Sequence, residues 1–346
     1  MGHIAEEGIP MEKRWTDLFM RDPIKPLTES GNEAVAYFAK RDLLDLHVED
    51  IQKVWGLPEV QKIIKKQWPG GYWKPVKKDA QAGEKYALTE TWRQMRFLVD
   101  AYGMTTEHPA IEKACEYIFS CQSQEGDIRG ILANQYAPYY TGAILYLMIK
   151  AGYESDPRVE KGIEWLLSMR QDDGGWVIGS PGMVNRTWKE MNVLTSAWSP
   201  EPERDFDWSR PFSAAGTGMA LRALAVHSRY RSSLEARRAA MLLKSKFLKK
   251  DNWSWYEHPD NWVRFQFPYW WNHLLSALDM LSRMGFSKED ADIDLALHWL
   301  LSHQEDDGLW KVSYSSIHKL NENSRSRAEQ LWITLSILRI IRRFYA

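Results

Sequence analysis

Apolar positions along this chain recur with a helical period, in two alternating kinds of segment. Runs such as "PAIEKACEYIFSC" from Pro109, "PRVEKGIEWLLSM" from Pro157 and "ADIDLALHWLLSH" from Ala291 place apolar residues three and four apart with charges between them. Second segments, more uniformly apolar, alternate with them: "ALTETWRQMRFLVDAYG", "APYYTGAILYLMIKAG", "FSAAGTGMALRALAVHS", "FPYWWNHLLSALDMLSRMG" and "SRAEQLWITLSILRIIRRF". A helix that is apolar around most of its girth is buried, and its amphipathic partner lies outside it. Pro109 and Pro157 suit a first helical turn, where the missing N–H needs no partner. Gly103, Gly152 and Gly285 suit left-handed caps at the ends of three inner segments. The pattern predicts inner helices near 33–46, 88–102, 138–151, 213–229, 269–284 and 327–344. Outer helices are expected near 58–66, 109–121, 157–169, 233–248 and 290–303, and "EKRWTDLFM" (12–20) supplies a twelfth.

A short element punctuates the pairs. "QEDDGLW" (304–310) has relatives in "QWPGGYW" (67–73), "QSQEGDI" (122–128), "RQDDGGW" (170–176) and "KKDNWSW" (249–255). Only the first and last copies along the chain carry Gln, Gly and Trp together. The copy at 122 has Ile128 in place of Trp, the copy at 170 has Arg170 in place of Gln, and the copy at 249 is degenerate. The adjacent acids Asp306 and Asp307 look like an acid pair. Their recurrence in "RQDDGGW" fits a turn that favours Asp before Gly.

The repeated Gln–x–x–Asp–Gly–x–Trp element between alternating helices resembles the terpenoid cyclase and protein prenyltransferase superfamily, over roughly residues 30–346. The resemblance implies an all-α (α/α)6 toroid with a central cavity, in which the Gln and Trp act as structural clamps. The chain is expected to form one such domain over 1–346, with 1–30 closing the ring. The resemblance carries chemistry less far. The family's Asp–x–Asp–Asp acid is absent from the inner-helix starts, which read "TETW", "PYYT", "AAGT", "YWWN" and "AEQL". "DADID" (290–294) opens an outer helix, and neither Cys115 nor Cys121 lies on an inner helix to serve a prenyltransferase-type zinc site.

Composition narrows the function. Forty-five basic residues against 46 acidic ones give no basic face, so nucleic acid is not an expected partner. Two Cys exclude a disulfide framework and fit a reducing, cytoplasmic setting. No apolar stretch reaches the about 18 residues of a spanning helix, which leaves peripheral lipid contact open. The surplus is aromatic: 18 Trp, 15 Tyr and 11 Phe.

Candidate chemistry gathers where inner helices begin, since free N–H groups there favour anions. Glu90 and Glu329 are candidate acids, because a carboxyl in an apolar cavity is harder to ionise. His273 is a candidate acid–base group, and Arg327 a ligand or a partner for Glu329. Tyr136, Tyr139, Tyr140, Trp270, Trp271 and Asn272 would line the mouth, with aromatic faces suited to a cation or a greasy ligand. The long link 177–211, carrying Trp188, is a candidate lid. No cofactor and no metal are implied. The expectation is an enzyme acting on a hydrophobic, isoprenoid-like substrate by acid catalysis, through cyclisation, isomerisation or hydration. A polysaccharide lyase or hydrolase on the same kind of barrel, and a non-catalytic binding toroid, are the alternatives.

Overall fold

The computed structural model describes residues 14–74, 85–178, 188–194, 200–202, 204–252, 258–316 and 324–346. The chain is all-helical, with isolated bridges but no strand among the described residues. The inner helices are α1 (Glu33–Leu44), α3 (Lys85–Met95), α5 (Pro138–Met148), α7 (Ala214–Val226), α9 (Leu274–Arg283) and α11 (Ser324–Tyr345). Helices α3 and α5 run on as π-helical turns over Arg96–Ala101 and Ile149–Tyr153. The outer helices are α2 (Pro58–Ile64), α4 (Pro109–Ser120), α6 (Pro157–Ser168), α8 (Leu234–Lys244) and α10 (Ala291–Ser302). The inner ones are the segments that read as apolar all round: every residue of α5 is buried, and all but the last of α7.

Helices α5, α7, α9, α11 and α1 pack each on the next, and the α11–α1 contact joins the two ends of the chain into a toroid. Helices α5 and α7 lie closest. A Cβ on Gly142 would fall 2.6 Å from the Ala220 Cα, so only glycine permits that approach. The expected twelfth helix is shorter than its pattern. Trp15–Leu18 and Lys25–Thr28 form two single turns that pack on α11.

The repeated element sets the geometry of each corner. Nε1 of Trp73, Trp176 and Trp310 donates to the carbonyl ten residues earlier, on Ile63, Leu166 and Leu300, each at 2.8 Å. Their main-chain N–H groups donate to Thr91, Thr217 and Thr334 Oγ1 on the following inner helix, and Ile128 does the same to Thr141. All four threonines are fully buried. A Trp therefore ties an outer helix end to an inner helix through two hydrogen bonds.

The Gln closes the loop and reaches across to the next repeat. Gln67 Nε2 donates to Gly71 and Ala110 carbonyls, and Gln122 Nε2 to those of Gly126 and Arg158. Gln304 binds the Gly308 carbonyl and exchanges two hydrogen bonds with the Arg21 main chain, which fastens the N-terminal segment to the last repeat. The copy at 170 shifts by one position. Arg170 turns back to Leu167, and Gln171 binds the Asp207 and Arg210 carbonyls instead. Gly71, at φ +84°, sits with its missing Cβ 2.1 Å from the Lys113 carbonyl oxygen, so the turn leaves no room for a side chain.

Candidate functional site at the amino-terminal mouth

Asp306 and Asp307 do not form an acid pair. Both are exposed. Asp307 accepts from the Leu309 N–H at 3.1 Å and from Arg327 at 2.6 Å. Burial raises its pKa, but the Arg327 bond and the turn N–H groups outweigh that and hold it below the usual carboxylate range. Arg327 is thus engaged on the outer rim of the last corner. "DADID" is also structural: Asp290 caps α10, and Lys244 of α8 bridges Asp290 and Asp292 at 3.0 and 3.1 Å.

The stretch 267–273 departs most from expectation. An inner helix near 269–284 was expected to carry "WWNH" at its start. The helix begins at Leu274, and the residues before it form an irregular strap that lies against α3, α5 and α7. Two arginines hold the strap. Arg96 donates to the Pro268 carbonyl at 2.9 Å. Arg222 of α7 donates to the carbonyls of Tyr269, Trp270 and Trp271 at 3.1, 3.3 and 2.6 Å. Both guanidinium groups are almost wholly buried. Burial and the neighbouring Arg222 charge bring the Arg96 pKa down to about 9, and burial lowers that of Arg222. Sequence reasoning passed over both, yet a lone Arg inside "GMALRALAV" was a signal, since an unpaired charge is rarely buried.

An aromatic cluster surrounds these charges. The Trp92 and Trp270 rings lie 4.6 Å apart, Trp92 and Tyr140 5.3 Å, Tyr139 and Tyr140 4.5 Å, and Tyr140 and Trp271 6.1 Å. The Arg96 guanidinium sits 4.3 Å from the Trp270 ring centre. Trp270 and Trp271 remain partly exposed, so the cluster opens at their edge. Asn272 ties the strap to the Ala214 carbonyl at 3.2 Å and packs on Gly218, where a Cβ would strike it at 2.1 Å.

His273 is the N-cap of α9. Its Nδ1 accepts from the Ser276 N–H and its Nε2 meets the Gln266 main chain, so both ring nitrogens are occupied. Burial first, then the Arg222 charge, pushes its pKa down to about 3. It is a neutral structural cap rather than the acid–base group expected of it. The folded state thus refuses a proton that the unfolded chain accepts near pH 6.5. Stability is full above that value and falls as the pH drops towards 3, by about 1.4 kcal/mol per pH unit at most. Urea denaturation between pH 6.5 and 4.5 should show this slope, and His273→Asn should flatten it.

The other candidates are dispersed. Glu90 and Glu329 each lie five residues inside their helices rather than at the first position. Glu90 accepts from Arg93 Nε at 2.9 Å and also from Arg93 Nη2 and Gln94 Nε2. Glu329 is half-buried on α11. Tyr136 faces away from the ring centre, against Trp165 and Phe206, and bonds Glu125 at 2.7 Å. Within the expected lid, 179–187 and 195–199 and the Trp188 side chain lie outside the described residues. In its described part, Phe206 packs on Tyr136, the Pro200 carbonyl accepts from Gln135 and the Phe212 N–H donates to Asp173. Among the described residues no group of His, Cys, Asp and Glu is placed to hold a metal, and no helix is long and apolar enough to cross a membrane.

No curated protein sequence matches the chain significantly. Among solved structures, a type II terpene cyclase from Scytonema bound to merosterolic acid A is similar at 12% identity and TM-score 0.34, over 85% of this chain and 97% of that one. A polysaccharide lyase is similar at 13% identity and TM-score 0.46, over 84% and 86%. A protein from Actinoplanes gives 15% identity and TM-score 0.33, over 86% and 100%. Likeness at these scores carries no argument about activity. The family model for the squalene-hopene cyclase C-terminal domain matches residues 87–199, from α3 through the corner at Trp176 into the long link. That match spans 113 of the chain's 346 residues, and over this span the chain is similar to that family.

Proposed function

We propose that this protein takes up a hydrophobic, isoprenoid-like molecule at the amino-terminal mouth of the ring, against Tyr140, Trp270 and Trp271. The single observation behind this reading is the aromatic cluster that opens at the partly exposed Trp270 and Trp271. The electrostatics restrict what happens there. A carbocation about 5 Å from a buried guanidinium would be disfavoured by about 3 kcal/mol at an effective dielectric near 20. Arg96 and Arg222 therefore keep any cation-forming step out of the deep interior and at the outer edge of the cluster. Cyclisation, isomerisation or hydration at that edge would draw on Glu90 and Glu329, and Arg93 would have to release Glu90 before it could give a proton. The strap that Arg96 and Arg222 hold among the inner helices favours a second reading, in which the ring binds such a molecule without transforming it.

Titration of the tryptophan fluorescence with geranylgeraniol tests the proposal. Saturable quenching in the micromolar range is expected, weakened at least tenfold in Trp271→Ala. Equal binding by that variant, or preference for a uronate oligosaccharide, would overturn it. If Glu90→Gln and Glu329→Gln both turn over an identified substrate at the normal rate, the acid assignment is lost and the binding reading stands.

A further inference from the structure

The opposite mouth of the ring has a different chemistry. The carboxyl ends of α1, α9 and α11 and the turns that extend α3 and α5 surround a cavity of about 500 Å3. Its wall carries six cationic side chains: Arg41, Lys150, Arg283, Arg339, Arg342 and Arg343. Four carboxylates face them. Asp42 takes Arg41 and Arg339, Asp45 takes Arg342, Asp100 takes Lys150, and Asp279 takes Arg283 and Arg343. The side chains of this mouth are therefore in cationic excess by two, and the excess is one when the carboxylate of Ala346, which also lines the cavity, is counted. Helix carboxyl ends attract single cations, which accounts for one basic residue per helix. It does not account for three arginines of α11 turned into one cavity with three further cations from α1, α9 and the α5 extension.

The cations are also held in place. Asp279 is wholly buried, and burial, which alone would raise its pKa, is overridden by Arg283 and Arg343, which keep it far below the usual carboxylate range. Arg343 Nε is further fixed on Ser282 Oγ at 2.9 Å. A guanidinium has five N–H donors in a fixed fork, so one carboxylate leaves several of them unused. Arg41 uses only its Nε on Asp42. On the other side of the cavity, Oδ2 of the buried Asp100 has no partner although Oδ1 takes Tyr146 and Lys150. That Oδ2 is itself shut off from solvent, so the unused donors lie on the arginine side of the cavity. Phe38, Val99 and Met104, almost fully buried beneath the charges, form the apolar part of the wall.

We propose that this carboxyl-terminal mouth binds a dianionic oxyanion of the phosphate class, with its charge on the free N–H groups of Arg41 and Arg342 and any attached alkyl chain along Phe38, Val99 and Met104. The site lies at the other end of the ring from the aromatic mouth and does not depend on that reading.

Calorimetric titration of the full chain at 50 mM salt, with inorganic phosphate, hexyl phosphate and hexanol, tests it. Hexyl phosphate is expected to bind with a micromolar Kd, and hexanol not to bind. If inorganic phosphate binds equally well, the free ion is the ligand class; if hexyl phosphate binds at least tenfold tighter, it is a phosphate ester with an apolar tail. Both outcomes support the site. The Arg41→Gln, Arg342→Gln double variant should weaken binding at least tenfold while its Tm without ligand stays within a few degrees. Since Arg342 also bonds the Asp42 carbonyl and Asp45, Arg41→Gln alone, which keeps both of those bonds and leaves Asp42 its Arg339 partner, should weaken binding at least threefold if the double variant is unstable. Unchanged binding in a folded variant, or no binding of either phosphate at 5 mM, would overturn the proposal. Neither result bears on geranylgeraniol at the far mouth.

Discussion

Trp310→Ala should lower the unfolding free energy by about 3–5 kcal/mol, whereas Asp306→Asn, four residues away, should change it by less than about 0.5 kcal/mol. The contrast follows from what each side chain touches. Trp310 is fully buried, its Nε1 holds the Leu300 carbonyl, and its ring meets Phe19 edge-on at 6.0 Å. Its loss empties a large volume, strips a carbonyl at the end of α10 and loosens the N-terminal segment that packs on it through Phe19. Asp306 is exposed and does not converge on the interior. Urea denaturation followed by far-UV circular dichroism gives both numbers. A cost below 1 kcal/mol for Trp310→Ala would show that the corner is held elsewhere, and the natural place to look would be the Gln304–Arg21 exchange.

The corners were readable in the sequence because they repeat. Gln67, Gln122 and Gln304 with Trp73, Trp176 and Trp310 recur in phase with the helices, and a recurring pair of residue types implies a recurring job. Their partners were not readable. Thr91, Thr141, Thr217 and Thr334 receive the same bond at sequence separations of 18, 13, 41 and 24 residues, and separations that vary leave no periodic signal. The copy at 170 was misaligned for a related reason. Matching on Trp176 puts Arg170 in the clamp position, but the side chain that clamps is Gln171, one residue on, because its targets lie in the link at 207 and 210 rather than on the next outer helix.

The candidate site was legible in composition and not in geometry. Tyr139, Tyr140, Trp270 and Trp271 do meet near one mouth. They were placed on helix starts, and half of them lie on a strap instead. Helical periodicity reports which face of a segment is apolar, and "FPYWWNH" is apolar enough to continue the helix pattern backwards. What stops the helix is tertiary: Arg222 takes carbonyl oxygens that a helix would use for its own ladder. Asp251 plays the matching part at α7, accepting from the Ala214 and Ala215 N–H groups and from Ser213 Oγ. In the sequence it sits in the degenerate "KKDNWSW" copy, where it looked like a residue that had lost its role.

Arg222→Met should cost about 3 kcal/mol, and the cost should shrink when Arg96 is also replaced. Removing the guanidinium leaves the Tyr269, Trp270 and Trp271 carbonyls to find other donors in a buried setting, at about 1–3 kcal/mol for each that fails. Against this stands the repulsion between two buried like charges, which adds to burial in bringing the Arg96 pKa down to about 9. In a double-mutant cycle the Arg222→Met, Arg96→Met protein should therefore be more stable than the sum of the single losses predicts, by about 1 kcal/mol or more. The same removal of positive charge should let the His273 pKa rise from about 3, since Arg222 is one of the two causes that depress it. The acid sensitivity between pH 6.5 and 4.5 should weaken in Arg222→Met as it does in His273→Asn, and an NMR titration of the His273 ring would show the shift directly. Additive single losses with an unmoved His273 titration would mean that the two arginines do not share one low-dielectric interior. The strap would then be held by its aromatic packing, and the charge argument that the proposed function uses to place a cation at the rim would fall.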